Sequence, residues 1–269
     1  MRALPVILAC FSAGLASAQV AWRDTLAVRM HELNIVLARA DTLSMDEVME
    51  DDWRINNALG ESLTSVLNVP GLSDHDLDSL FPAGYIQKVR STDGRLWIFN
   101  WDERSGGSFQ GNLHVLLYRT ARGEGRSFAS FTLEGDEWSR GAYYSAIHPL
   151  RSKDGSALYV CIGSVRGCTT CCAEVVTVLE LAEDGINFSY PAFNIPEKPA
   201  DGEVQQQHSA STWALDARCG DIVSFAYDPK TQIVRYTYVP DDLTPVTSEA
   251  QNDEVSGRLR FDGRAFVAE

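Results

Sequence analysis

The chain reads as a mainly β fold: three antiparallel meander units, propeller-like or forming a curved or two-layered sheet, with an N-terminal helical hairpin. Three observations predict it. A five-residue phrase, Arg90-Ser91-Thr92-Asp93-Gly94, returns 61 positions later as Arg151-Ser152-Lys153-Asp154-Gly155, each copy between apolar stretches. Strand, tight Asp-Gly turn and strand give that pattern, and its return implies a supersecondary unit used more than once. From Tyr85 onward the chain consists of short apolar or alternating runs separated by turn residues, whereas before Tyr85 apolar residues recur at steps of three and four.

The helical part comes first. Over residues 20–40, Trp22, Leu26, Met30, Leu33, Leu37 and Ala40 form one stripe. Ser44-Met45-Asp46-Glu47 has capping-box spacing and starts a second helix, whose stripe is Val48, Trp53, Asn56, Leu59, Leu63, Val66 and Leu67. Asn68-Val69-Pro70-Gly71 ends it. Ser73 caps a short helix through Leu80. Its Asp74, Asp76 and Asp78 resemble the start of a calcium loop, but Ser79 and Tyr85 stand where Gly and Glu are needed. Acidic residues in a first helical turn explain the run better.

Twelve strands are expected after that, in three sets. The first covers 86–90, 96–101, 113–119 and 128–133; the second 144–150, 158–164, 174–181 and 188–193; the third 211–215, 222–227, 233–239 and 259–266. Asp228–Thr231 is a turn, and 196–207 and 241–257 read as exposed loops. The organisation is therefore 1–18 signal peptide, 19–82 helical N-terminal segment and 83–269 β-rich meander domain.

Export follows from the start of the chain. Arg2, an apolar run from Ala3 to Gly14 and the small-x-small Ala16-Ser17-Ala18 make a secretory signal ending before Gln19. A lipoprotein box ending at Cys10 is the weaker alternative, because it leaves almost no apolar region before the cut. The run is shorter than the ~18 apolar residues of a membrane span, so no integral membrane segment is expected. The compartment is periplasmic or extracellular. The formal charge of −14 disfavours nucleic acid. Beyond Cys10, Cys161, Cys168, Cys171, Cys172 and Cys219 are disulfide candidates in an oxidising compartment, with no pairing specified by their spacing. Cys171 and Cys172, being adjacent on a strand, point to opposite faces and call for different partners.

Chemistry-bearing motifs are sparse. The sequence contains no Gly-x-Ser-x-Gly, no His-Glu-x-x-His and no phosphate loop, and nothing in it requires a cofactor or a metal. His114 and His148 fall in strands and His208 in a loop, which makes them core or surface residues first. Trp97, Phe99 and Trp101 share one strand face and lead into Asp102-Glu103-Arg104 and a Gly-Gly turn. They either fill the core or offer aromatic faces for a sugar or another flat ligand; on the second reading the binding residues are Trp97, Trp101, Asp102 and Arg104.

The run Ile86-Gln87-Lys88-Val89-Arg90-Ser91-Thr92-Asp93-Gly94-Arg95-Leu96-Trp97-Ile98-Phe99-Asn100-Trp101-Asp102, then Ser105-Gly106-Gly107-Ser108, resembles a group of secreted Bacteroidota proteins. Their pattern is roughly Ser-x-Asp-Gly-Lys-x-Arg-x-Tyr-x-Trp-Asp followed by Gly-Gly-Thr. The likeness spans residues 55–120, with Phe99 for Tyr and Ser108 for Thr. It implies export and this domain organisation, and it transfers no activity.

The expected function is an exported non-catalytic binding module of the cell envelope or extracellular space, with a glycan or protein ligand. The alternatives are a carboxylate-dependent hydrolase using residues such as Asp102 and Glu103, and a disulfide- or metal-stabilised structural envelope protein. Expressed with its leader in a secreting bacterial host, the chain should be recovered with Gln19 as its first residue; intact-mass measurement checks this.

Overall fold

The computed structural model describes residues 23–40, 42, 45–80, 86–103, 111–120, 123–129, 141–166, 171–182, 185–194, 206–208, 211–218, 223–238 and 255–269. Three helices precede a series of strands: α1 (residues 23–40), α2 (Met45–Leu67) and α3 (Asp74–Leu80). Sheet A is β1 (Gln87–Arg90), β2 (Leu96–Asp102), β3 (Asn112–Arg119) and β4 (Gly125–Ala129), in that order and antiparallel throughout. Sheet B is β5 (Tyr143–Arg151), β6 (Ala157–Arg166), β7 (Cys171–Leu181), β10 (Thr212–Arg218) and β9 (Gln206–His208), with the two-residue β8 (Ile186–Asn187) against the end of β7. Sheet C is β11 (Val223–Asp228), β12 (Ile233–Tyr238), β13 (Val255–Phe261) and β14 (Phe266–Ala268). The three sheets stack face to face, and none closes into a barrel.

Alternation along β2 explains the stacking. Leu96 through Trp101 are all buried, so both faces of the strand need cover. Trp97, Phe99 and Trp101 pack with Val115 and Leu117 under Leu33 of α1, Leu59, Leu63 and Val66 of α2, and Leu77 of α3. Leu96 and Ile98 face the other way and meet Tyr144, Tyr159, Cys161, Val175 and Leu179 of sheet B. The opposite face of sheet B, with Val160, Val176, Val178, Trp213 and Leu215, meets Val234, Leu259, Phe261 and Phe266 of sheet C. The layers are therefore helices, sheet A, sheet B and sheet C.

Helix starts follow the local chemistry. At α3, the Ser73 Oγ receives the Asp76 amide (3.2 Å) and donates to Asp76 Oδ2, which also accepts from the Ser73 amide. This is a reciprocal capping box with Asp in the N3 position. Asp74 pairs with Arg119 (2.8 Å) and Arg90, and Asp78 with Lys88 (3.0 Å), so these two aspartates tie α3 to sheet A.

The repeated phrase forms matching turns. Gly94 N donates to Ser91 O (2.9 Å), and Gly94 and Gly155 have φ of +70° and +85°. Asp93 itself has no positive φ. The expected tight Asp-Gly turn is thus a type I turn closed by a left-handed glycine, which adds a residue to the loop. The Asp carboxylate folds back onto its own turn, onto Ser91 Oγ (2.6 Å) and the Arg95 amide (3.2 Å) in the first copy and onto Ser152 and the Ser156 amide (3.0 Å) in the second. A third such turn, Asp262-Gly263, accepts the Arg264 and Ala265 amides. It splits the strand expected over 259–266 into β13 and β14.

These turns also join layers. Tyr159 Oη of β6 donates to Asp93 Oδ2 (2.6 Å), and the Lys153 amide donates to Gly263 O (2.9 Å). The leading arginine reaches outward in both copies: Arg90 to Asp74, and Arg151 to Gln232 Oε1 (2.7 Å) and Lys230 O (2.6 Å). Between sheets A and B, buried Asn100 acts as an extra strand residue. Its Nδ2 donates to Tyr144 O (3.0 Å), and its Oδ1 accepts the Tyr144 amide (3.2 Å).

Two strand assignments change. The segment 211–215, expected in the third set, is β10 of the central sheet, where Trp213 pairs with Val176 and the Thr212 and Thr177 hydroxyls meet at 3.2 Å. The eleven-residue β7 needs that partner on its free side. The strand expected over 188–193 is instead a crossing segment. Pro191 has no amide to give a ladder, and Ala192 and Asn194 bond to the backbone of Phe266. The last four residues expected in the fourth strand, 130–133, lie outside the described residues, as do most of the 196–207 and 241–257 loops.

Asn56 on α2 holds the end of β2: its Oδ1 accepts from Trp101 Nε1 (2.9 Å), and its Nδ2 donates to Glu103 O (2.8 Å). Asn56→Ala orphans a buried indole N–H and should cost about 1–3 kcal/mol in urea unfolding. Trp101→Ala should cost about 3–5 kcal/mol.

Candidate functional site

Trp97 and Trp101 are 2% and 1% exposed, and Phe99 is fully buried. They fill the helix–sheet core, so the exposed stacking platform is corrected: period two put the three aromatics on one face, and the helices cover it. The Arg90 guanidinium lies 4.8 Å from the centre of the Trp97 ring, over its face. Asp102 is exposed at the end of β2, and Arg104 lies outside the described residues. Glu103 lies against Gly111, where a Cβ would come within 1.8 Å of its carboxylate.

Cys161 is also corrected as a disulfide candidate: it is a free thiol in the core between sheets A and B, and burial pushes its pKa up. Cys171 and Cys172, at the start of β7, are disulfide-bonded. Cys168 and Cys219 lie outside the described residues.

One polar group sits deep in the stack and a second is half-buried. His114 on β3 pairs across the ladder with Asn100 and meets the Tyr144 ring edge-on at 5.2 Å. Complete burial lowers its pKa to about 3, so it is a neutral core residue rather than an acid–base group. Glu174 on β7 lies between Ser164 and Leu215, and burial raises its carboxyl to about 7. For Asp93, burial pushes the pKa up, but the Ser91 and Tyr159 hydroxyls and the Arg95 amide outweigh it and hold it below the ordinary carboxylate value.

Between sheets B and C lies a set of aromatics that sequence reasoning did not group. His148 of β5 packs on Tyr227 (5.1 Å), and Trp213 of β10 packs on Phe225 (5.1 Å) and edge-on to Tyr236 (4.8 Å). His148 and Trp213 lie three strands apart in sheet B, and the alternate residues Tyr227 and Phe225 of β11 reach one each. The Tyr236 ring lies over Gly257, where any Cβ would sit 2.3 Å from its hydroxyl. His148 Nδ1, Trp213 Nε1 and Tyr227 Oη make no hydrogen bond among the described residues.

The other face of sheet C is open. Its register makes three cross-strand rows: Ser224–Thr237–Ser256, Ala226–Arg235–Arg258 and Asp228–Ile233–Arg260. Ser224, Ala226, Arg235, Ser256, Arg258 and Arg260 are exposed. The helices cover the outer face of sheet A, and sheet B is enclosed on both sides. Among the described residues, sheet C and its turns carry five basic side chains (Lys230, Arg235, Arg258, Arg260, Arg264) against three acidic (Asp228, Asp262, Glu269), while the β12–β13 connection, outside the described residues, adds Asp241, Asp242, Glu249, Asp253 and Glu254 in the sequence. The signal was present in the sequence as the alternation Ser256-x-Arg258-x-Arg260, but it could not be read before the strand's outward face was known.

Neither a family model nor a curated protein matches the chain.

The buried titrating groups give a pH signature. Unfolded, His114 takes its proton near 6.5; folded, near 3. The unfolded state binds more protons across that window, so acidification destabilises by up to about 1.4 kcal/mol per pH unit. Glu174 acts oppositely: the folded state takes its proton near 7 and the unfolded near 4.5, so acidification across that range favours the fold. The wild-type melting temperature should vary little between pH 6.5 and 4.5 and fall below that, while Glu174→Gln should decline from pH 6.5 downward. Thermal unfolding in a buffer series checks both.

Proposed function

We propose that the chain is an exported, non-catalytic binding module of the cell envelope or extracellular space that takes a glycan or protein ligand on the outer face of sheet C. The observation that carries this reading is the open, arginine-bearing face of that sheet, the last in a stack whose other sheet faces are covered. Like charges placed directly opposite on neighbouring strands disfavour the sheet. Arg235 and Arg258 stand in that relation, so the fold carries a cost that a ligand would offset. Disulfide bonding at Cys171 and Cys172 supports an oxidising compartment, as does the leader-like start of the chain. Seven aspartates among the described residues serve structure: Asp74, Asp76 and Asp78 at α3, and Asp93, Asp154, Asp228 and Asp262 within turns.

The test is thermal unfolding of the full mature chain against a panel of envelope glycans, followed by hydrogen exchange with whichever binds. A ligand at a hundredfold excess over its dissociation constant should stabilise by about 2.7 kcal/mol and slow exchange in β12 and β13. Protection confined to other elements would move the site, and turnover of a panel glycan would replace this reading with the hydrolase.

A further inference from the structure

We infer that the outer face of sheet C binds an anionic polysaccharide, a sugar chain carrying carboxylates, through Arg235, Arg258 and Arg260. The inference rests on the binding-module reading and names its ligand.

Arg235 and Arg258 are cross-strand partners, and Arg258 and Arg260 are two residues apart on β13. The three guanidinium stems thus leave one flat surface at spacings of about 5 Å across strands and about 7 Å along them. Among the described residues Arg258 has no ion-pair partner, while Arg260 pairs with Glu269. Asp228, on the row beside Arg235, feels its charge but is engaged by its own turn, accepting from the Lys230 amide (2.9 Å) and the Thr231 hydroxyl (2.8 Å). Lys230 and Arg151, held together at that turn, extend the basic band at its edge.

Guanidinium forks match carboxylates in a bidentate geometry, which selects for a carboxylate-bearing ligand. The adjoining row of Ser224, Thr237 and Ser256 supplies hydroxyls that can exchange hydrogen bonds with sugar hydroxyls. The chain's overall negative charge does not prevent this. Charges are screened beyond about 8 Å at physiological ionic strength, so a local basic surface acts on a ligand in contact with it.

Two other occupants fit less well. A second copy meeting through this face would be isologous and would set arginine against arginine. A protein interface draws on buried aromatic or aliphatic anchors, and the apolar residues within the three rows are Ala226 and Ile233, the latter only 5% exposed.

The experiment measures binding of the full mature chain to immobilised polygalacturonate and, as the uncharged comparison, to dextran. Arg235→Gln, Arg258→Gln and their double variant are compared with Arg29→Gln, an exposed arginine on α1 paired with Glu32. The expected result is binding to polygalacturonate that falls as NaCl rises from about 50 to about 300 mM. Each sheet variant should weaken it about fivefold and the double variant at least tenfold, with Arg29→Gln unchanged. Each sheet variant should also melt no lower than wild type, since removing one of two facing like charges relieves repulsion. Equal binding to dextran that ignores the variants would overturn the anionic ligand while leaving a glycan-binding module standing. An equal loss in Arg29→Gln would overturn the assigned surface, and retention of neither polymer would overturn the inference itself. The thermal panel then decides the module reading separately.

Discussion

Two-sided burial of the strands is the constraint on which this structure depends. A strand buried on one face can border solvent. One in which every residue from Leu96 to Trp101 is buried cannot, and the same holds for most of β6 and β7. Each such sheet must therefore be covered twice. The helices cover one face of sheet A, sheet B covers the other, and sheet C covers the far side of sheet B. Polar groups enter the layers only where their bonds are met, as with Asn100 on the Tyr144 backbone, or where they stay neutral, as with His114.

The repeated turn then sets how the layers meet. In each of the first two copies the aspartate closes the turn on itself, while the leading arginine reaches the neighbouring layer. A local device that makes a hairpin thus also fixes its place in the stack. Turn residues such as Asp93 and Lys153 couple layers whose apolar contacts alone would allow sliding, because hydrogen bonds are directional and apolar burial is not.

The distribution of charge follows from the same stacking. Among the described residues, aspartates satisfy helix starts and turns, and Asp74 and Asp78 pair with Arg119 and Lys88 beside α3. Sheet C is the layer with a solvent face, and Arg235, Arg258, Arg260, Ser224, Thr237 and Ser256 share that face with Asp228. The binding reading grows from that face. Cys171 and Cys172 lie at the end of the β6–β7 hairpin opposite the Asp154 turn.

Much of the fold was legible in the chain itself, because it rests on local chemistry. The 3.6-residue stripe with Leu33, Leu59, Leu63 and Val66, the Ser73 cap, the two Ser-x-Asp-Gly turns and most strand positions follow from periodicity and from side chains that bond their own backbone. What depends on distant pairing was not. Period two places Trp97 and Trp101 on one face, but only the helices packed there decide that the face is core. The pairing of β10 with β7 spans a long connection and is chosen by the match of Trp213 and Thr212 to Val176 and Thr177, not by any turn. Arg235 and Arg258 become neighbours only through the β12–β13 register. A side chain's face is local information; what lies against that face belongs to the tertiary structure, because burial is shared between segments far apart in sequence.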